Sequence, residues 1–148
     1  MAEVKIERGD WVVVCDGAKA LIFENAGSQV SPNLVTKEVY QQPDPKTHEL
    51  GTDRPGRSFQ SVGTARSAME QADWHELEEQ RFLGRLAERL DKAVLAGEAK
   101  ALIVTAPPRA LGVLRRKFSP HVRHALRAEI DKDFIKLPAH EIAKHLAG

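Results

Sequence analysis

Cysteine is almost missing from this 148-residue chain: Cys15 stands alone. One thiol can form neither an intrachain disulfide nor a thiolate metal cluster, so the fold must rest on its core, and a reducing compartment is the natural expectation. Net charge is nearly missing too, at +1, which excludes a global attraction to nucleic acid or to an anionic membrane. No apolar run approaches the ~20 residues needed to cross a bilayer. The opening Met-Ala-Glu-Val-Lys-Ile-Glu-Arg mixes charges of both signs and has no signal-peptide core, so a soluble cytoplasmic protein without membrane contact is expected. Phosphate-cradling glycine loops, a nucleophile elbow and the His-Glu-x-x-His zinc spacing are all lacking. His75 near Trp74, and His121 with His124, are then expected to be solvated or capping groups, and neither a metal nor a cofactor is expected.

What is present is a strong pattern for fold. Trp11 to Cys15 is an unbroken strand-favouring apolar run, Lys19 to Glu24 is a second, and Asp16-Gly17 between them is a hairpin signal. With no polar alternation, the first strand is expected at the centre of a sheet, covered on both faces by helices. Leu34 to Tyr40 reads as a third, edge strand. From about 41 to 69, Pro43, Pro45, Gly51, Pro55, Gly56 and Gly63 sit among polar residues, and a long flexible loop is expected. Asp73 with Glu76 has capping-box spacing, and Leu83, Leu86, Ala87, Leu90, Ala93 and Val94 continue at helical period up to a cap at Gly97. Lys100 to Thr105 is a second central strand. Pro108 and Ser119-Pro120 start short helices, the latter running through Val122 and Leu126. Glu129 to Ile135 alternates as a strand, and Pro138 opens a last helix. The order βββαβαβα predicts one α/β domain over residues 1–148, a mixed five-stranded sheet between helix layers in the ribonuclease H-like arrangement.

Two constellations carry possible chemistry. Ribonuclease H-like nucleases hold two divalent ions on clustered carboxylates. Asp16 at the end of the first strand could begin such a cluster, with Glu70, Glu76 or Glu79 from the long helix and Asp131 or Asp133 from the last strand. The fourth strand, however, ends in Thr105-Ala106-Pro107 with no acid, and Asp16 already has a turn to close. The second constellation is basic. Arg109, Arg115, Arg116, Lys117, Arg123 and Arg127 occur with no acid among them. On two short helices they could form one phosphate-contacting face, salt-sensitive and indifferent to sequence, or a face that meets the acidic long helix of the same or another subunit. Aromatic residues make up only 5% of the chain, with Phe118 the only one near this run, so base stacking is expected to be weak. In the 41–69 stretch, a Pro-Gly turn could aim Arg54 and Arg57 at a common anion.

Trp-Val-Val-Val-Cys-Asp-Gly-Ala-Lys-Ala near the start, Gly-Thr-Asp-Arg-Pro-Gly-Arg at 51–57, Ala-Pro-Pro-Arg-Ala-Leu-Gly-Val-Leu-Arg at 106–115 and Glu-Ile-Asp-Lys-Asp at 129–133 together resemble the bacterial host attachment family, proteins required for attachment to host cells. The resemblance covers nearly the whole chain. It departs at Cys15, where a small residue such as Ala is expected, and at Lys19, where Arg is. The family is similar in turn to the middle domain of archaeal and eukaryotic peptide release factors, although their Gly-Gly-Gln tip is lacking here. The resemblance implies a non-catalytic cytoplasmic binding module that engages RNA, the ribosome or a protein partner. Asp16, Arg54, Arg57, Arg109, Lys132 and Asp133 are its motif positions, and a metal-dependent nuclease using Asp16 is the alternative.

Overall fold

A computed structural model of the chain describes residues 5–42 and 59–147, the side chains of 59–73 and of Ala147 excepted. Its sheet has five strands in the order β3-β2-β1-β4-β5. These are β1 (Trp11–Cys15), β2 (Lys19–Asn25), β3 (Leu34–Gln41), β4 (Leu102–Thr105) and β5 (Leu126–Ile130). The first three form an antiparallel meander, while β4 runs parallel to β1 and β5 parallel to β4. The helices are α1 (Phe59–Leu95), α2 (Pro108–Lys117), α3 (Pro120–Ala125) and α4 (Ala139–Ala147). No helix among the described residues is long and apolar enough to cross a membrane.

The centre of the sheet follows directly from the apolar runs. Every residue of β1 and β4 is buried, because both strands carry apolar side chains on both faces and each has a neighbouring strand on either side. Trp11, Val13, Cys15, Leu102 and Val104 face one cluster, completed by Leu83, Leu86 and Leu90 of α1, Leu111 and Leu114 of α2 and Val122 of α3. Val12, Val14 and Ile103 face the other, closed by Ile142 and Leu146 of α4. Fully burying each such side chain favours folding by about 1.5–3 kcal/mol. The Trp11 ring, wholly buried, also carries Lys37 and Arg89 over it at 5.6 and 5.5 Å from ring centroid to cation.

The turns form for local reasons. Asp16 Oδ1 accepts from the backbone N–H groups of Ala18 and Lys19, both at 2.8 Å, which closes the β1–β2 connection. Asn25, fully buried at the end of β2, donates to Ile6 O and accepts from Gly27 N and Asn33 N, tying the segment before β1 to the loop before β3. Pro108 occupies the first turn of α2, and the Ser119 side chain caps α3 by accepting from Val122 N. Gly97, at φ +79°, ends α1, a conformation glycine adopts without strain.

The structure departs from the sequence pattern at two elements. The long helix does not start at the Asp73 capping pattern but at Phe59, so residues 59–69 of the expected loop are helical. A capping box is only four residues long, so its residue pattern can recur inside a helix. At 37 residues α1 is ~55 Å long, well beyond the ~20 Å separating the outer strands of a five-stranded sheet. Among its described side chains, those from Trp74 onward, the first buried one is Phe82. The last strand is Leu126–Ile130, not Glu129 to Ile135, and it follows α3 with no intervening residue. Leu126 takes φ −66° and ψ 123°, so the helix passes straight into extended chain. The Asp131-Lys132-Asp133 alternation that resembled a strand lies in the loop beyond it.

Candidate functional site

Because β1, β4 and β5 are parallel, their carboxyl ends meet at one edge of the sheet. Open α/β sheets most often bind ligands at such an edge. Here it brings together the Asp16-Gly17 turn, the Thr105-Ala106-Pro107 exit and the 131–133 loop. Glu79 of α1 lies directly over Gly17, where any Cβ would overlap its carboxylate, so this turn admits no side chain while Glu79 stays in place. Gln42 Nε2 donates to Gly17 O at 2.9 Å on the same turn. Arg109, in the first turn of α2, sends Nε to within 3.2 Å of Glu79 Oε1 and a terminal nitrogen to within 3.6 Å of Glu76. The Glu79 contact is close enough for charge attraction but is not aligned as a hydrogen bond, and Oε1 is otherwise buried without a partner.

Two of the acids expected in a metal cluster are therefore engaged elsewhere, and the side chain of Glu70 lies outside the described residues. Asp16 holds two backbone N–H groups and Glu79 faces a guanidinium. Asp133, exposed, accepts from Ile135 N at 3.3 Å, and Lys132 beside it is exposed as well. Among the described residues no three His, Cys, Asp or Glu side chains are grouped so as to hold a metal ion. Cys15, just beneath the edge, has its thiol pushed up to about 12 by burial, with the negative charges of Asp16 and Asp133 adding to the effect. It stays a neutral core group.

The basic run does not form one face. Arg109 lies at the carboxyl edge, whereas Arg127 at the start of β5 lies at the opposite edge, paired with Asp10 at 3.0 Å and Glu7 at 3.6 Å. Arg115 is bound to Glu129 at 2.6 Å, and Arg123 donates to Arg115 O at 2.9 Å. Arg116, Lys117 and Arg123 remain exposed at the end of α2 and on α3, with His121 and His124 beside them and no acidic partner among the described residues. Arg109 meeting Glu76 and Glu79 realises, within one subunit, the expected contact between the basic run and the acidic long helix. Arg54 and Arg57 lie outside the described residues.

A third polar cluster had no signature in the sequence. On β3, Glu38 receives a forked pair of bonds from Arg89 of α1, at 2.9 and 2.5 Å, and the Tyr40 hydroxyl donates to the same carboxylate. Arg89 also reaches Glu98 at 3.0 Å. The Arg89 bonds hold the Glu38 carboxyl below its ordinary range, while burial and then the Glu38 bond push the Tyr40 phenol up. In sequence, Glu38 and Tyr40 are simply polar positions on an edge strand. Only the crossing of α1 over that strand pairs them with a residue 51 positions later.

A family model described as "Protein required for attachment to host cells" matches residues 11–146. No curated protein matches the sequence.

Proposed function

Since the chain belongs to the family of proteins required for attachment to host cells, we propose that it serves that process from the cytoplasm as a non-enzymatic module that binds RNA on the ribosome. The observation that carries this reading is the set of exposed Arg116, Lys117 and Arg123 with His121 and His124 at the end of α2 and on α3, whose charge is not matched by acids among the described residues. Such a surface contacts phosphates without reading bases. The strand order β3-β2-β1-β4-β5, with its antiparallel meander and two parallel strands, supports kinship with the ribonuclease H-like arrangement and hence with the release-factor middle domain. Non-enzymatic action is supported by the work the acids already do: Asp16 closes a turn and Glu79 pairs with Arg109.

Sedimentation with ribosomes across a salt series tests the proposal. Association is expected at low salt, with log affinity falling linearly against log salt. The variant Arg116→Glu/Lys117→Glu/Arg123→Glu is expected to lose at least about tenfold, a loss typical of several phosphate contacts. No sedimentation of the wild type at low salt, or an unchanged triple variant, would overturn it. Metal-dependent cleavage of RNA or DNA that is abolished by Asp16→Asn would favour the nuclease alternative instead.

A further inference from the structure

A second surface lies on the β3 side of α1. Between β3 and α1 opens a cleft of about 150 Å³ lined by Tyr40, Gln41, Phe82, Arg85, Leu86 and Arg89. We propose that this cleft, with the adjoining outer edge of β3, receives the extended carboxyl-terminal end of a partner protein, its last apolar side chain in the cleft and its carboxylate on Arg85.

The floor is apolar, since Phe82 and Leu86 are each 3% exposed. A volume near 150 Å³ accepts a benzene-sized group, hence one Phe or Leu side chain. The wall is held in place beforehand. Tyr40 is fixed by its bond to Glu38, and Glu38 by the Arg89 fork, so a ligand need not order them. The two arginines at the cleft differ in charge balance. Arg89 is met by Glu38 and Glu98. Arg85, one turn earlier on the helix and exposed, has no acidic partner among the described residues. The cleft thus combines an apolar floor with a cationic lip, the complement of an apolar residue that bears a carboxylate.

The edge strand supplies the rest. β3 is the outermost strand, and its outer backbone groups have no partner among the described residues, as required for strand addition. Its register slips so that Thr36 pairs with Phe23 and Glu38 with Ile22, leaving Lys37 as a bulge. Only Glu38 to Gln41 therefore offers an uninterrupted ladder beside the cleft. So short a ladder suits a chain end better than an internal strand, and the chain end also provides the carboxylate.

The test uses the full chain and a defined probe, the peptide acetyl-Thr-Val-Thr-Val-Phe with a free carboxylate, alongside its carboxyl-terminal amide. Saturable amide shifts are expected at Glu38 to Gln41 and from Phe82 to Arg89. Binding should weaken about tenfold for the amide and for Arg85→Glu, as expected on losing one charge-assisted bond. Arg85 is exposed, and an otherwise unchanged spectrum of the variant will show that it folds. The proposal is overturned if the acid peptide gives no saturable shifts, if the shifts fall elsewhere, if acid and amide bind equally, or if Arg85→Glu binds as the wild type does. Self-association that broadens the β3 amides as concentration rises would assign the edge to a second copy and overturn it too. The probe does not touch Arg116, Lys117 or Arg123, so this test and the ribosome test fail independently.

Discussion

Single side chains here act mainly by where their charge is held. Glu38 has its folded pKa lowered beneath the ordinary 4.5 by Arg89, so folding favours its ionised form. The resulting stabilisation is complete above that ordinary value and is lost as pH falls through the folded pKa. Glu38→Gln should therefore cost about 1.5–3 kcal/mol near neutrality, the range for hydrogen bonds to charged groups. The gap from wild type should close as pH drops below 4.5, which urea titrations at several pH values will measure. Cys15 behaves in the opposite sense. With its thiol pushed up to about 12, it should resist iodoacetamide at pH 8 in the folded protein and react once unfolded, a difference mass spectrometry reads directly. At this scale the sequence reveals little. Asp16 is legible as a turn residue because its role is local, whereas Glu38, Arg89 and the Glu79–Arg109 contact depend on which helix crosses which strand.

Elements are more legible, and for an identifiable reason. The Asp-Gly hairpin, Pro108 and the Ser119-Pro120 start rest on interactions within a few residues, and the structure has them where the sequence indicates. The errors come where two patterns compete. Residues 59–72 carry little apolar periodicity and include Gly63, so the stronger pattern from Asp73 onward hid a helix that had already begun. The Glu-Ile-Asp-Lys-Asp alternation likewise drew the last strand too late. Within α1, position decides energetic weight. Leu90, fully buried, should cost about 2–5 kcal/mol when changed to Ala, because a cavity is left behind. Leu77, 44% exposed on the same helix, should change stability by no more than about 0.5 kcal/mol. Thermal or chemical denaturation of the two variants compares them within one element.

For the molecule as a whole, stability should be graded outward from the middle of the sheet. β1 and β4 are buried throughout and flanked on both sides, while β3 has exposed Val35 and Val39 and one edge with no partner strand among the described residues. Hydrogen exchange should find the amides of Val12 to Val14 and Ile103 to Val104 opening only with global unfolding, and those of β3 opening earlier. Equal protection across all five strands would contradict this gradient. The layer arrangement was legible in the sequence because burial on both faces leaves a continuous apolar run, whereas a polar cluster such as Glu38, Tyr40 and Arg89 leaves none.

The joint between α3 and β5 has a mechanical corollary. Ala125 is helical and Leu126 is already strand, and the one extra residue of the β4–β5 register, Arg127, is already taken up within β5. Ala128 and Ile130 pack toward α4, while Glu129 reaches the opposite side to hold Arg115. Inserting one residue at this seam would invert the ribbon, turning carboxylate and guanidinium groups into the apolar layer and methyl groups out to water. Length variation is therefore least tolerable at a site that, in the primary structure, shows no sign of being a hinge.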